Sequence, residues 1–149
     1  MRACGVEIKS NEAIICLLSM ENGLFDIPDC RSQKFLLKNA ASGEELQEFQ
    51  FAFKKLMEDY QIQNVVIKER PMKGKFAGSC AGFKIEAAIQ LIDGLSVELQ
   101  NNTLEKALLK KNPLAVDFKS TGLKVFQQTA FTTAYCYLLK EHYGVPQAD

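Results

Sequence analysis

Two carboxylates and one run of basic residues are the parts of this chain whose type and spacing could do chemistry. Glu7 follows the apolar stretch Cys4-Gly5-Val6, and Glu69 ends Val65-Val66-Ile67-Lys68-Glu69. Carboxylate oxygens with water hold hard cations, so Mg²⁺ or Mn²⁺ is the metal class they would accept. On neighbouring strands the pair is worth more than either acid alone, because close carboxylates raise one another's pKa unless a cation sits between them. Glu7 and Glu69 are therefore the candidate metal-holding and catalytic residues. Arg70, Lys73 and Lys75 follow directly, with Lys84 further on and glycines at 74, 78 and 82. Backbone N–H groups at a glycine-rich helix start, ringed by cations, can receive a phosphate, which makes Arg70, Lys73 and Lys75 the candidate phosphate-binding residues. Each feature also has a plainer use. Glu7 can be a solvated or lysine-paired strand-end acid, and Glu69 a local partner of Arg70. The glycine-lysine segment can be an ordinary loop feeding a tightly packed helix.

Other chemistries lack their residues. The five cysteines, Cys4, Cys16, Cys30, Cys80 and Cys136, are odd in number and form no C-x-x-C, and His142 is the sole histidine. Zinc needs clustered Cys and His ligands, so no zinc site is expected. His142 sits near a helix C-terminus, where a cation complements the dipole without any catalytic role. The phosphate loop G-x-x-x-x-G-K-[ST] is missing, and no organic cofactor is expected. Four of the cysteines fall in apolar patterns, as free thiols do in a reducing compartment. The chain opens straight into a strand pattern and holds no apolar run long enough to span a bilayer. Together these predict a cytoplasmic protein with no membrane partner. Eighteen basic residues balance eighteen acidic ones. A neutral chain has no global field for nucleic acid or membrane, so such a contact would need a local patch.

The elements that must position these residues are legible from periodicity. Hydrophobic residues are 47% and charged residues 24% of 149, which excludes a disordered chain and suits a single domain over residues 1–149. Arg2 to Ile8 and Glu12 to Met20 read as strands, and Asn22-Gly23 as a hairpin turn. A third strand starts at Leu24, breaks at Asp26-Ile27-Pro28-Asp29 and resumes over 34–38. Ser42-Gly43-Glu44-Glu45 is a capping box. It opens a helix whose core stripe is Leu46, Phe49, Phe53, Leu56, Met57 and Tyr60, with Phe51 pointing the opposite way. Residues 64–69 form a short strand, and Gly78 to Leu91 a helix with two apolar stripes. One stripe runs through Ala81, Ile85, Ala88 and Ile92, the other through Cys80, Phe83, Ala87 and Leu91. Ser96 to Gln100 is another strand. Asn102-Thr103-Leu104-Glu105 is a second capping box, and a last helix covers Leu123 to Tyr143. Hairpin-linked strands followed by strands separated by helices predict an α/β fold: a mixed sheet, three antiparallel strands then parallel strands, with helices on both faces. Phe51 together with the outer stripe of the second helix predicts a homodimer.

This order resembles the ribonuclease H-like fold, and its motifs resemble the RuvC branch, which resolves branched DNA. Cys4-Gly5-Val6-Glu7 is similar to the family's first strand, apolar-Gly-apolar-acid, with Glu for the usual Asp. Val65-Val66-Ile67-Lys68-Glu69 is similar to the strand that ends in its second acid. Gly78-Ser79-Cys80-Ala81-Gly82 is similar to the G-x-x-x-G of the following helix, after a shorter connection. The chain as a whole also looks like a small uncharacterised bacterial family. The resemblance implies a further acid pair on the last helix, at positions that line up with Ala130 and Thr133. The segment from Gln127 to Ala134 holds no acid, and the nearest one upstream is Asp117. A two-metal clamp needs more negative charge than two carboxylates supply.

Two functions therefore stay open. One is a RuvC-like domain that binds nucleic acid, or cleaves a phosphodiester weakly with Mg²⁺ or Mn²⁺ on Glu7 and Glu69. Lys73 or Lys75 would then steady the phosphate. The other is a catalytically inactive scaffold or interaction protein that kept the fold. Nucleotide binding in the same crevice is a weaker third reading.

Overall fold

The structure, a computed structural model, describes residues 1–75 and 77–147. Strands β1 (Arg2–Lys9) and β2 (Glu12–Glu21) form an antiparallel hairpin in continuous register from Arg2↔Ser19 to Lys9↔Glu12. At the next turn Asn22 and Gly23 both take positive φ, 54° and 79°, as a tight hairpin requires. The third strand is broken, as its composition predicts. β3 (Leu24–Asp26) pairs with one end of β2 and β4 (Lys34–Leu36) with the other, so the Pro28 segment loops out between them. Gln127 reaches that gap, its Nε2 donating to the Ile15 carbonyl at 2.9 Å. A β2 acceptor left without a strand partner is thereby satisfied.

On the other side of β1, β5 (Asn64–Lys68) pairs parallel, and β6 (Ser96–Gln100) pairs parallel with β5. The sheet order is β3-β2-β1-β5-β6, with β4 also on β2. Helices α1 (Gly43–Asp59) and α2 (Cys80–Gln90) cover one face, packing on Cys4, Val6, Ile8, Val65 and Ile67. Helices α3 (Asn102–Lys111) and α4 (Gln128–Tyr143) cover the other, against Ala3, Cys16, Leu18 and Val66. This is the mixed α/β sheet with two helical layers that the sequence predicts.

Three local expectations need correction. Ser42 caps α1, accepting from the Glu45 N–H at 3.2 Å, but the Glu45 carboxylate does not return the bond and its Oε2 is buried without a partner. Asn101, not Asn102, caps α3, accepting from the Leu104 N–H at 2.8 Å. Glu105 is thus freed from a capping role. The last helix begins at Gln128; residues 118–121 and 125–127 before it are tight 3₁₀ turns.

Helix α4 lies unusually close to β1, and Gly5 makes this feasible. A Cβ there would sit 2.1 Å from the Ala130 carbonyl oxygen and 2.8 Å from the Ala134 nitrogen. Only a residue without a side chain admits so close a backbone approach. The contact lays the first turns of α4 over β1.

Candidate functional site

The parallel register fixes what stands beside Glu7. Gly5 pairs with Val66 and Val6 with Ile67, so one further step sets Glu7 beside Lys68. Side chains alternate along a strand, so Glu7 shares the α4 side with Gly5, and Lys68 shares it with Val66. The half-buried Glu7 carboxylate makes no hydrogen bond or ion pair with any other described residue.

Lys68 does not turn to Glu7. Its ammonium lies 2.5 Å from Glu105 Oε1 and 3.1 Å from Asn102 Oδ1. Glu105 is almost fully buried, and its second oxygen accepts from Gln100 Nε2 at 3.0 Å and from Thr133 Oγ1 at 2.9 Å. Gln100 Nε2 also donates to the Thr133 carbonyl at 3.0 Å. The network ties β5, β6, α3 and α4 together. Cys136 borders it, donating weakly to the Glu105 carbonyl; burial, then the Glu105 charge, pushes that thiol up to about 12. Where the resemblance implies an acid on the last helix, Thr133 is a hydroxyl donor to a carboxylate supplied by α3. Ala130, the other such position, is fully buried against β1.

Glu69 lies elsewhere. Its N–H donates to the Gln100 carbonyl at 2.9 Å, so the chain still runs beside β6. Alternation then turns its side chain to the α2 face, where its charge bears on Glu86 of α2. Burial raises the Glu86 pKa, with Arg70 opposing and Glu69 adding to the shift. The structure thus places Glu7 and Glu69 on neighbouring segments but does not bring them together on one face. Among the described residues no group of three His, Cys, Asp or Glu is arranged to hold a metal ion. The residues present do not fit a divalent ion bridged by Glu7 and Glu69.

The basic segment divides by role. Arg70 does not pair with Glu69; its guanidinium lies 4.5 Å from the centre of the Phe83 ring, in a seat cleared by Gly78 and Gly82. A Cβ at either glycine would approach Arg70 Nη1 to 2.6 or 2.4 Å. Arg70 Nε and Nη2 are buried without a partner, and desolvation lowers the pKa of the group. The G-x-x-x-G is therefore occupied by an arginine from the same chain. Lys84 is tied to the Ala40 carbonyl at 2.7 Å. Lys73 and Lys75 are exposed on the connection after β5. Ser79, the N-cap of α2, donates to the Ser10 carbonyl at 2.8 Å, fastening the β1–β2 turn to this helix start. That staple adds the exposed Lys9, which no local sequence signal joins to the segment after Glu69.

Lys68 and Glu105 are not among the candidate residues of the sequence, although each carries a signal. Lys68 falls on the core side of β5, two residues after Val66. Glu105 lies at helical spacing from Leu108 and Leu109, inside an apolar stripe. Opposite charges in two core stripes are the mark of a buried pair.

The fold is ribonuclease H-like, with the architecture of RuvC. It matches the RuvC structure of Thermus thermophilus with a TM-score of 0.75 at 11% identity, covering 97% of this chain and 98% of that one. The same organism's RuvC in complex with a Holliday junction matches at 0.69 and 13% identity, covering 97% of each chain. The fowlpox virus resolvase with Holliday junction DNA matches at 0.57 and 12% identity, covering 96% of this chain and 99% of that one. The chain belongs to the family described as a protein of unknown function, DUF3010, which matches residues 1–137. No curated protein matches the sequence.

Proposed function

We propose that this protein is a RuvC-like nucleic-acid-binding domain that engages the phosphate backbone without metal-dependent hydrolysis. The observation that carries this reading is the Lys68–Glu105 ion pair on the sheet face that Glu7 shares. A carboxylate already neutralised by an ammonium adds no net charge to draw in a cation. Binding itself rests on exposed Lys9, Lys73 and Lys75 at the carboxyl ends of β1 and β5, the edge where α/β sheets open a crevice. The matched structures holding Holliday junctions make branched DNA the first ligand to try.

With so few cations at the rim, affinity is modest and its salt dependence is shallow. Two or three phosphate contacts give a log–log salt slope of about −2 to −3. Fluorescence anisotropy on four-way junction, duplex and single-stranded probes tests this at low and moderate salt. Binding should weaken with salt and with Lys73→Glu or Lys75→Glu. Absence of binding at low salt, or indifference to both reversals, contradicts the proposal.

One observation favours a second reading. Glu7 is a half-buried carboxylate with no partner among the described residues, the state in which a cation ligand would wait. On that reading Glu7 supports weak Mg²⁺- or Mn²⁺-dependent cleavage, which turnover assays of wild type and Glu7→Gln separate from binding.

A further inference from the structure

We infer that the cation of this crevice is built into the chain: the Lys68 ammonium occupies the position a divalent ion would take between β5 and helices α3 and α4. The surroundings of Lys68 are those of a cation seat. Oxygen atoms meet the ammonium from two residues of one helix, Glu105 Oε1 at 2.5 Å and Asn102 Oδ1 at 3.1 Å. The remaining Glu105 oxygen is oriented by Thr133 and Gln100, so the carboxylate is held from behind as well as in front. Gln100 Oε1 adds a buried acceptor that no described group satisfies. The parallel register sets Glu7, with its carboxylate unpartnered, next to Lys68 on the same face. One carboxylate oxygen and one amide oxygen thus meet the Lys68 ammonium directly, and Glu7 stands next to it in the strand register on the same face.

Such a seat has consequences that an ordinary core ion pair does not. An ammonium on a side chain is always present, is untouched by chelators, and carries half the charge of Mg²⁺. It cannot bring a water to the nucleophilic state as a bound metal does. Filling the seat in this way keeps the crevice organised while removing its dependence on metal. Removing the ammonium should turn the same oxygens toward an outside cation, because Glu105 would then be a buried, uncompensated carboxylate.

The inference concerns the crevice of the proposed function, and the two fail separately. Loss of junction binding leaves the metal result standing, and the converse holds. The test is titration of the full chain with Mn²⁺ alone, followed by electron paramagnetic resonance of the free ion and by thermal melting with and without chelator. Wild type and Lys68→Arg should show no saturable Mn²⁺ site and the same melting temperature in both conditions. Lys68→Ser should gain a Mn²⁺ site that raises its melting temperature and is weakened by Glu7→Gln in the same background. Saturable Mn²⁺ binding by wild type that Glu7→Gln removes would overturn the inference. So would a folded Lys68→Ser protein without Mn²⁺ affinity. Should Lys68→Ser not fold, the wild-type titration decides.

Discussion

Neutralising Glu105 should unsettle the whole α3–α4 side of the molecule. The Glu105 side chain is only 4% exposed and that of Lys68 19%, so Glu105→Gln leaves an ammonium largely out of water, facing neutral amide oxygens with no compensating charge. Removing one member of a buried pair costs about 3–5 kcal/mol. The residual exposure of Lys68 places the expected loss near the lower end, about 3 kcal/mol. For a chain of this size that is a fall in melting temperature of roughly 6–12 °C. Urea unfolding followed by circular dichroism, with Lys68→Met and the double variant completing a cycle, measures it. Lys68→Met should cost at least as much, because it strands Glu105. The double variant should recover about 2–3 kcal/mol of the summed losses, as coupled neighbours do. A loss below about 1 kcal/mol for Glu105→Gln, with additive effects, is the behaviour of a solvated surface pair. That result would refute the account of the network.

Further outcomes follow from particular contacts. Gly5→Ala should cost about 3 kcal/mol or more, because its Cβ would strike the α4 backbone, which cannot rotate aside; melting of a soluble variant near wild-type temperature would contradict the packing. Native alkylation at mildly alkaline pH should modify Cys80 first, since Cys80 is exposed while burial pushes the thiols of Cys16 and Cys136 up to about 12; mass spectrometry of labelled peptides checks the order. The chain should sediment as a dimer at micromolar concentration and Phe51→Ser should shift it toward monomer, given exposed Phe51 and Leu91 on adjoining helices and an interface requirement of about 1,000 Å². A wild-type monomer would mean that these side chains are isolated exposures.

The fold was legible because its signals are local. Asn22-Gly23 marked the hairpin, Pro28 the break in the third strand, and Phe49, Phe53 and Leu56 the buried stripe of α1. The candidate site was legible only as residue types. A motif ending in an acid does not state which face that acid takes. The one-residue offset between Lys68 and Glu69 moves the carboxylate from the α4 side to the α2 side. Glu105 was misread because Asn102 and Glu105 have capping-box spacing, whereas Asn101 performs the capping and leaves Glu105 to its core stripe. The sequence offers Arg70 as a phosphate-binding cation or a partner of Glu69, whereas the chain seats it against Gly78, Gly82 and Phe83, a contact across a turn that composition does not encode. Of the two apolar stripes on α2, the outer one divides: Leu91 is exposed, and Phe83 lies under Arg70.

The central claim is binding without metal-dependent hydrolysis, and single-turnover cleavage of a labelled four-way junction tests it most directly. Wild type and Glu7→Gln should be compared in Mg²⁺, in Mn²⁺ and in chelator, with the protein in excess and binding verified in the same tubes. The account predicts a bound junction that stays intact in every condition, with wild type and Glu7→Gln indistinguishable. Cleavage in Mn²⁺ or Mg²⁺ that chelator stops and Glu7→Gln abolishes would contradict it, and would make Glu7 a metal ligand despite the ammonium beside it.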